Sequence, residues 1–230
     1  MTSAVVVAVD GTSGSGKSST SRGLAARLGM RYLDTGAMYR AVTWWMLQHG
    51  VDVGDPSAVA ARVEEPTIVS GTDPLVPTIA VDGQDVATAI RADDVNASVS
   101  PVSAVPAVRA ELVRLQRTAI SAALGASGIV VEGRDIGSVV WPQAELKLYL
   151  TADPAARAAR RAAESGAADV DATRASLEAR DRIDSSRTTA PLVQADGAVH
   201  LDTTPYTLAE VIERTAGLVE TVRRCVQADA

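Results

Sequence analysis

The run Gly11-Thr12-Ser13-Gly14-Ser15-Gly16-Lys17-Ser18 meets every fixed position of the pattern G-x-x-x-x-G-K-[ST]. Residues of these types at this spacing suit one chemistry, the holding of nucleotide phosphates. Glycines, lacking a Cβ, let backbone N–H groups turn inward around phosphate oxygens. A helix beginning at Lys17 adds the positive end of its dipole where the anion sits. Lys17 is long enough to reach the β- and γ-phosphates of ATP, Ser18 offers a hydroxyl to Mg2+, and Ser19 completes the nucleotide-binding set. The flanks agree. The apolar run Val5-Val6-Val7-Ala8-Val9 leads into the loop, and an amphipathic helical stretch over 17–28 leads out. A Gly/Ser-rich linker could match the letters, but nothing would place such a strand before it.

Four further clusters each follow the end of an expected strand, where open α/β sheets bind ligands. In Asp34-Thr35-Gly36-Ala37-Met38-Tyr39-Arg40, Thr35 can cap a helix and donate to a phosphate, while Arg40 offers a bidentate fork to an anion. Alone, this would be a capped helix with a surface arginine; beside the loop it points to a second ligand's phosphate. In Glu132-Gly133-Arg134-Asp135, Glu132 stands where a Walker-B acid would sit, and Arg134 beside Asp135 is either a turn salt bridge or part of a site. Arg157, Arg160 and Arg161 share a helical face, either as a solvated basic strip or as a lid that stabilises the transferred phosphoryl group. Arg180, Asp184 and Arg187 recur at spacings of four and three and share another face, with Arg187 in a last helical turn. So many converging arginines call for two phosphorylated ligands, hence a kinase with a small phosphorylated acceptor.

The elements that must position these groups alternate strand and helix, which predicts a parallel α/β sheet. Strands are expected over 5–9, 31–33, 129–131, 145–150 and 198–201. Helices are expected over 17–28, through Tyr39 to Gln48, over 107–124, from Pro154 to about residue 163, over 173–184 and over 208–226. The 107–124 helix should bury Val108, Leu112, Leu115, Ala119 and Ile120. Residues 66–106 break the rhythm. There, 67–70 and 76–86 are expected as short antiparallel strands separated by Gly71-Thr72-Asp73-Pro74. The predicted organisation is one kinase domain with a core over 1–62 and 107–230, an inserted subdomain over about 63–106 and a lid over about 157–180. Of Trp44 and Trp45, one is expected in the core and the other against the insertion. His49 and His200 are expected to be structural.

Composition narrows the function classes. The chain has 230 residues, 47% hydrophobic and 22% charged, with a net charge of −6. That acidic balance argues against sequence-independent nucleic-acid binding, which needs a broad cationic surface. The single cysteine, Cys225, rules out an intrachain disulfide and is expected to be a structural thiol in a reducing compartment. No apolar stretch approaches a membrane span, and the N-terminus lacks a basic n-region. A cytoplasmic monomer with no membrane and no nucleic-acid partner is expected.

With these residues in place, the chain resembles the bacterial cytidylate kinases, the CMP/dCMP kinases of the nucleoside monophosphate kinase family. The carriers are Asp10 through Ser18, Leu33 through Arg40, Glu132-Gly133-Arg134-Asp135-Ile136-Gly137, Arg180-Asp181 with Asp184-Ser185 and Arg187, and Ala190-Pro191-Leu192. The resemblance implies a three-layer P-loop kinase: a central parallel five-stranded sheet, an enlarged monophosphate-binding insertion and a helical lid. It also implies transfer of the ATP γ-phosphoryl group, with Mg2+, to CMP or dCMP. By the same resemblance Thr35, Arg40, Arg134 and Arg187 hold the CMP phosphate, with Asp34 beside them. Arg180 and Asp184 contact the pentose, and Ser100, Arg109 and Asp135 read the cytosine edge. Lys17, Arg134, Arg157, Arg161 and Arg187 serve the transfer. Ile183 departs from some members, which carry an arginine there. Two rivals stay open: a P-loop kinase for another acceptor, such as UMP, AMP or a phosphate-free metabolite, and a nucleotide-dependent switch. A GTPase switch should carry N-K-x-D and D-x-x-G; the only asparagine, Asn96, precedes Ala97, and no D-x-x-G occurs.

Overall fold

The computed structural model describes residues 3–165, 169–186 and 192–228. Its chain runs β1 (Val6–Gly11), α1 (Lys17–Leu28), β2 (Arg31–Asp34), α2 (Thr35–Gln48), α3 (Pro56–Ala61), β3 (Ile68–Ser70), β4 (Ile79–Val81), β5 (Gln84–Asp85), α4 (Asp93–Ala104), α5 (Pro106–Leu124), β6 (Ile129–Glu132), β7 (Leu146–Thr151), α6 (Pro154–Ser165), α7 (Val170–Ser186), β8 (Val199–Asp202) and α8 (Leu208–Ala228). Five strands form one parallel sheet in the order β2-β6-β1-β7-β8. Its two central neighbours, β1 and β6, are wholly buried, as a parallel sheet covered on both faces requires.

Alternation along β1 divides the interior into two layers. Val6 and Ala8 pack with Met38, Val42 and Trp45 of α2 and with Val108, Leu112 and Ile120 of α5. Val5, Val7 and Val9 face the other side, against Leu24 and Ala25 of α1 and Ala216 and Val219 of α8. The buried stripe of α5 differs from the expected one. It runs Val108, Leu112, Gln116, Ile120 and Ala123, with Leu115 and Ala119 only partly covered. Cys225 is likewise exposed on α8 and plays no part in the core.

Residues 63–106, expected as an inserted subdomain, share the main core. Ile79 and Val81 of β4, with Val86, Ile90 and Val102, belong to the same buried cluster as Val6 and Ala8. The expected 76–86 strand is cut in two, because Asp82 (φ 52°) and Gly83 (φ 81°) form a tight turn between β4 and β5. Asp-Gly is a two-residue hairpin signal, and it outweighs the apolar run before it. Helix α4 was not anticipated from the pattern. Trp45 fills both roles given to the tryptophan pair: it is buried, and its Nε1 donates to Asp82 Oδ2 at 2.9 Å. His49 stacks on it at 3.9 Å, and His200 pairs with the Thr151 hydroxyl at 2.7 Å.

Gly128 ends the α5–β6 connection with φ 80°, and a Cβ there would stand 2.4 Å from the Val5 carbonyl oxygen. Gly128→Ala should therefore destabilise the protein by about 2 kcal/mol or more. Urea unfolding should show this as a lowered midpoint; an unchanged midpoint would contradict the packing at this edge.

Candidate active site

Strand register builds the site. Val9, Glu132 and Asp34 are abreast on β1, β6 and β2, so the C-terminal ends of three strands meet at one edge, β1 running two residues further. There a cleft of about 450 Å3 opens. Its walls come from the phosphate-binding loop, the start of α2, α4, α5, the turn after β6, α6 and α7.

The loop leaves β1 at Gly11, whose backbone (φ 143°) passes so near β7 that a Cβ would lie 1.9 Å from the Leu150 carbonyl oxygen. Gly16, at φ 87°, caps α1. Ser13, Gly14, Gly16, Lys17, Ser18 and Ser19 line the cleft, whereas Gly11, Thr12 and Ser15 shape the loop from behind. Ser15 Oγ and Lys17 Nζ both donate to the Thr12 carbonyl, at 2.9 and 2.6 Å. Lys17 is thus folded back on its own loop. Its burial, followed by the charge of Arg134, lowers its pKa well below that of a free lysine.

Glu132 ends β6 with its carboxylate buried. It accepts from Ser18 Oγ at 2.9 Å and from the hydroxyl of Tyr32, and burial together with the charge of Asp34 raises its pKa. Burial and Glu132 push the Tyr32 phenol up as well, so Tyr32 stays a donor. Ser18 and Glu132, side by side and both oxygen ligands, fit a Mg2+ carried by nucleotide phosphates.

Around them the expected acceptor residues gather. Asp34, not Thr35, caps α2, accepting from the Ala37 N–H at 2.9 Å; a residue in extended backbone with a short acceptor is the better cap. Thr35 instead donates to the Glu132 carbonyl at 2.7 Å. Arg40 reaches Asn96 of α4 and the Ile90 carbonyl. Arg134 donates to Gly11 O at 2.8 Å and to Asp184 Oδ2 at 2.9 Å. Arg109 of α5 and Asp135 form a buried ion pair, with Ser100 of α4 on the same cleft wall.

The three arginines of α6 part company. Arg161 lines the cleft. Arg157 is buried, donates to Ser13 O at 2.9 Å and pairs with Asp181 of α7. Arg160 holds Thr203 through its hydroxyl and carbonyl oxygens, at 2.9 and 2.8 Å. A shared helical face did not make them one group, because each meets a different neighbour. Arg187 and the side chain of Arg180 lie outside the described residues. Sequence reasoning assigned no role to Asp181, which accepts from the Ser13 N–H at 2.8 Å, or to Tyr32, Asn96 and Asp10. Their partners are remote in sequence, so no local pattern marks them.

The profile of the family described as cytidylate kinase matches residues 7–221. The chain belongs to the cytidylate kinase family. Curated relatives carrying that name include those of Streptomyces avermitilis, 57% identical over 96% of this chain and 94% of the relative, and Streptomyces coelicolor, 59% identical over the same shares. The cytidylate kinase of Nocardia farcinica is 51% identical over 94% of this chain and 93% of its own length. Among solved structures, a Thermus thermophilus protein superposes with a TM-score of 0.50 at 20% identity, covering 95% of this chain and 97% of the other. A Sinorhizobium meliloti gluconokinase also gives 0.50, at 14% identity, covering 100% and 99%. These two likenesses concern the fold alone. Among the described residues, no helix is long and apolar enough to cross a membrane.

The depressed Lys17 gives a test by proton linkage. Phosphates stabilise the ammonium form, so Mg2+-free ATP should bind with proton uptake at about pH 8. Calorimetry in two buffers of different ionisation enthalpy should detect the uptake in the wild type and lose it in Lys17→Arg. Equal uptake in both would contradict the assignment.

Proposed function

We propose that the protein transfers the γ-phosphoryl group of ATP to CMP or dCMP, giving ADP and CDP or dCDP. The observation that carries this reading is the buried Arg109–Asp135 pair, which lines the same cleft as Lys17 and Ser18. Cytosine presents an N4 donor beside N3 and O2 acceptors. A carboxylate and a guanidinium, with Ser100 beside them, complement that edge. Uracil places an acceptor where N4 would be and leaves the carboxylate facing it, a mismatch that costs orders of magnitude in a site built on hydrogen bonds.

The acceptor phosphate is already an anion, so its oxygen can attack the γ-phosphorus with no strong general base. Positioning and charge stabilisation supply the catalysis. Thr35, Arg40 and Arg134 orient the CMP phosphate, with Arg187 as a further ligand, while Asp34 fixes the start of α2. Asp184 and Arg180 take the pentose. Lys17 moves from the Thr12 carbonyl to the ATP phosphates, helped by the loop N–H groups. Ser18 and Glu132 would hold Mg2+, which when bound would offset phosphate charge. Arg161 faces the transferring group, and Arg157 fastens α6 to the loop so that water is excluded when both ligands are bound. Residues 157–180 act as the lid in this reading, and residues 63–106 as the acceptor-binding insertion.

The experiment is coupled ADP release from ATP-Mg2+ with CMP, dCMP, UMP, AMP, GMP or no acceptor. High turnover with CMP and dCMP, weaker with UMP and little without acceptor, is expected. Preference for another acceptor, or equal ADP release with none, would overturn the reading. Lys17→Ala should abolish transfer with the fold retained by circular dichroism, and Asp135→Ala should raise the KM for CMP about tenfold or more while that for ATP moves little.

A further inference from the structure

Asp10 is the last side chain before the phosphate-binding loop turns, and the mechanism above does not use it. It is only 3% exposed. Both carboxylate oxygens are engaged: Oδ1 accepts from the Ile136 N–H and Oδ2 from the Gly137 N–H, each at 2.8 Å. These are the first amides of a short helical turn that follows directly on Arg134 and Asp135. Two more bonds run between the same segments, from Gly133 N to Val9 O at 3.0 Å and from Arg134 Nη1 to Gly11 O at 2.8 Å. Asp10 is the one side chain of β1 that holds the turn by its backbone. Burial raises its carboxyl to about 6, and the charge of Asp135 adds to this while the two amides and Lys17 oppose it.

We propose that Asp10 is a positioning residue for acceptor recognition, locking the turn that presents Arg134 and Asp135 to the end of β1 and the phosphate-binding loop. The proposal rests on the reading of Arg134 and Asp135 as acceptor ligands. A carboxylate is needed because both partners are donors. An asparagine of the same shape has a single acceptor oxygen, and its NH2 would meet a backbone N–H, donor against donor. The turn would then shift, and a displacement of about 1 Å is enough to spoil recognition. A merely structural role would lower stability and leave the kinetic constants for acceptor and donor in their usual ratio.

The test compares Asp10→Asn, Asp135→Ala and wild type in kcat and KM for CMP, UMP and ATP. Asp10→Asn should raise the KM for CMP about tenfold and shrink the CMP-to-UMP preference, with the KM for ATP within about twofold. Unchanged constants for CMP, or equal rises for CMP and ATP, would overturn the proposal. If Asp135→Ala shrinks the preference and Asp10→Asn does not, the positioning role falls and the cytosine reading stands. If Asp10→Asn raises the KM for CMP while Asp135→Ala leaves the preference intact, the cytosine reading falls and the positioning role stands, acting through Arg134. Should Asp10→Asn fail to fold, amide hydrogen exchange in the wild-type protein decides. Strong protection of the Ile136 and Gly137 amides is expected, and exchange at unprotected rates would overturn the proposal.

Discussion

Buried cations must have partners before any ligand arrives, and the whole site is organised around that requirement. Lys17, Arg109 and Arg157 are each less than a tenth exposed. An uncompensated charge at such depth costs several kcal/mol. Two are paired with carboxylates, Arg109 with Asp135 and Arg157 with Asp181 and the Ser13 carbonyl, although Arg157 Nε has no partner among the described residues; Lys17 has the Thr12 carbonyl, and burial lowers its pKa. Arg134, less deeply placed, leans on Asp184 and Gly11 O. On the proposed function, phosphorylated ligands would exchange partners with the protein instead of filling a vacancy. The attraction they feel is set by how well they replace carbonyls and carboxylates already in place.

This partner exchange ties remote segments together. The Gly11 and Ser13 carbonyls accept from Arg134, in the turn after β6, and from Arg157 of α6, while the Ser13 N–H donates to Asp181 of α7. On the far side, Arg40 connects α2 to α4 through Asn96, whose Nδ2 donates to the Arg91 carbonyl at 2.9 Å. Helices α4, α6 and α7 are thus tied to the sheet edge by charged hydrogen bonds, which are stronger than neutral ones. Asp10 and Glu132 supply the fixed points: one holds the turn after β6, and the other joins Ser18 to Tyr32.

Much of this arrangement was legible in the residues alone. A β-branched run, a glycine loop and an amphipathic helix are local patterns, and the loop, its helix and the parallel sheet follow from them. The strand-end clusters at Asp34, Glu132 and Arg134 were legible for the same reason, since parallel sheets place ligands at strand C-termini. What escaped was decided by distant contacts or by short punctuation. Asp181 meets Ser13 across 168 positions and Asp10 meets Ile136 across 126. The Asp82-Gly83 turn split the stretch 76–86 read as one strand, and Asp34 displaced Thr35 as the cap of α2. Arg157, Arg160 and Arg161 share a periodicity but not an environment, which periodicity cannot show.

The central claim is that the cleft recognises its acceptor through a phosphate that replaces internal partners of the arginines. The most direct measurement is calorimetric binding of CMP and of cytidine to the same protein at fixed ionic strength. The account predicts that cytidine binds at least about a hundredfold more weakly than CMP, because it cannot offer the arginines a replacement anion. Comparable affinities for the two would contradict it.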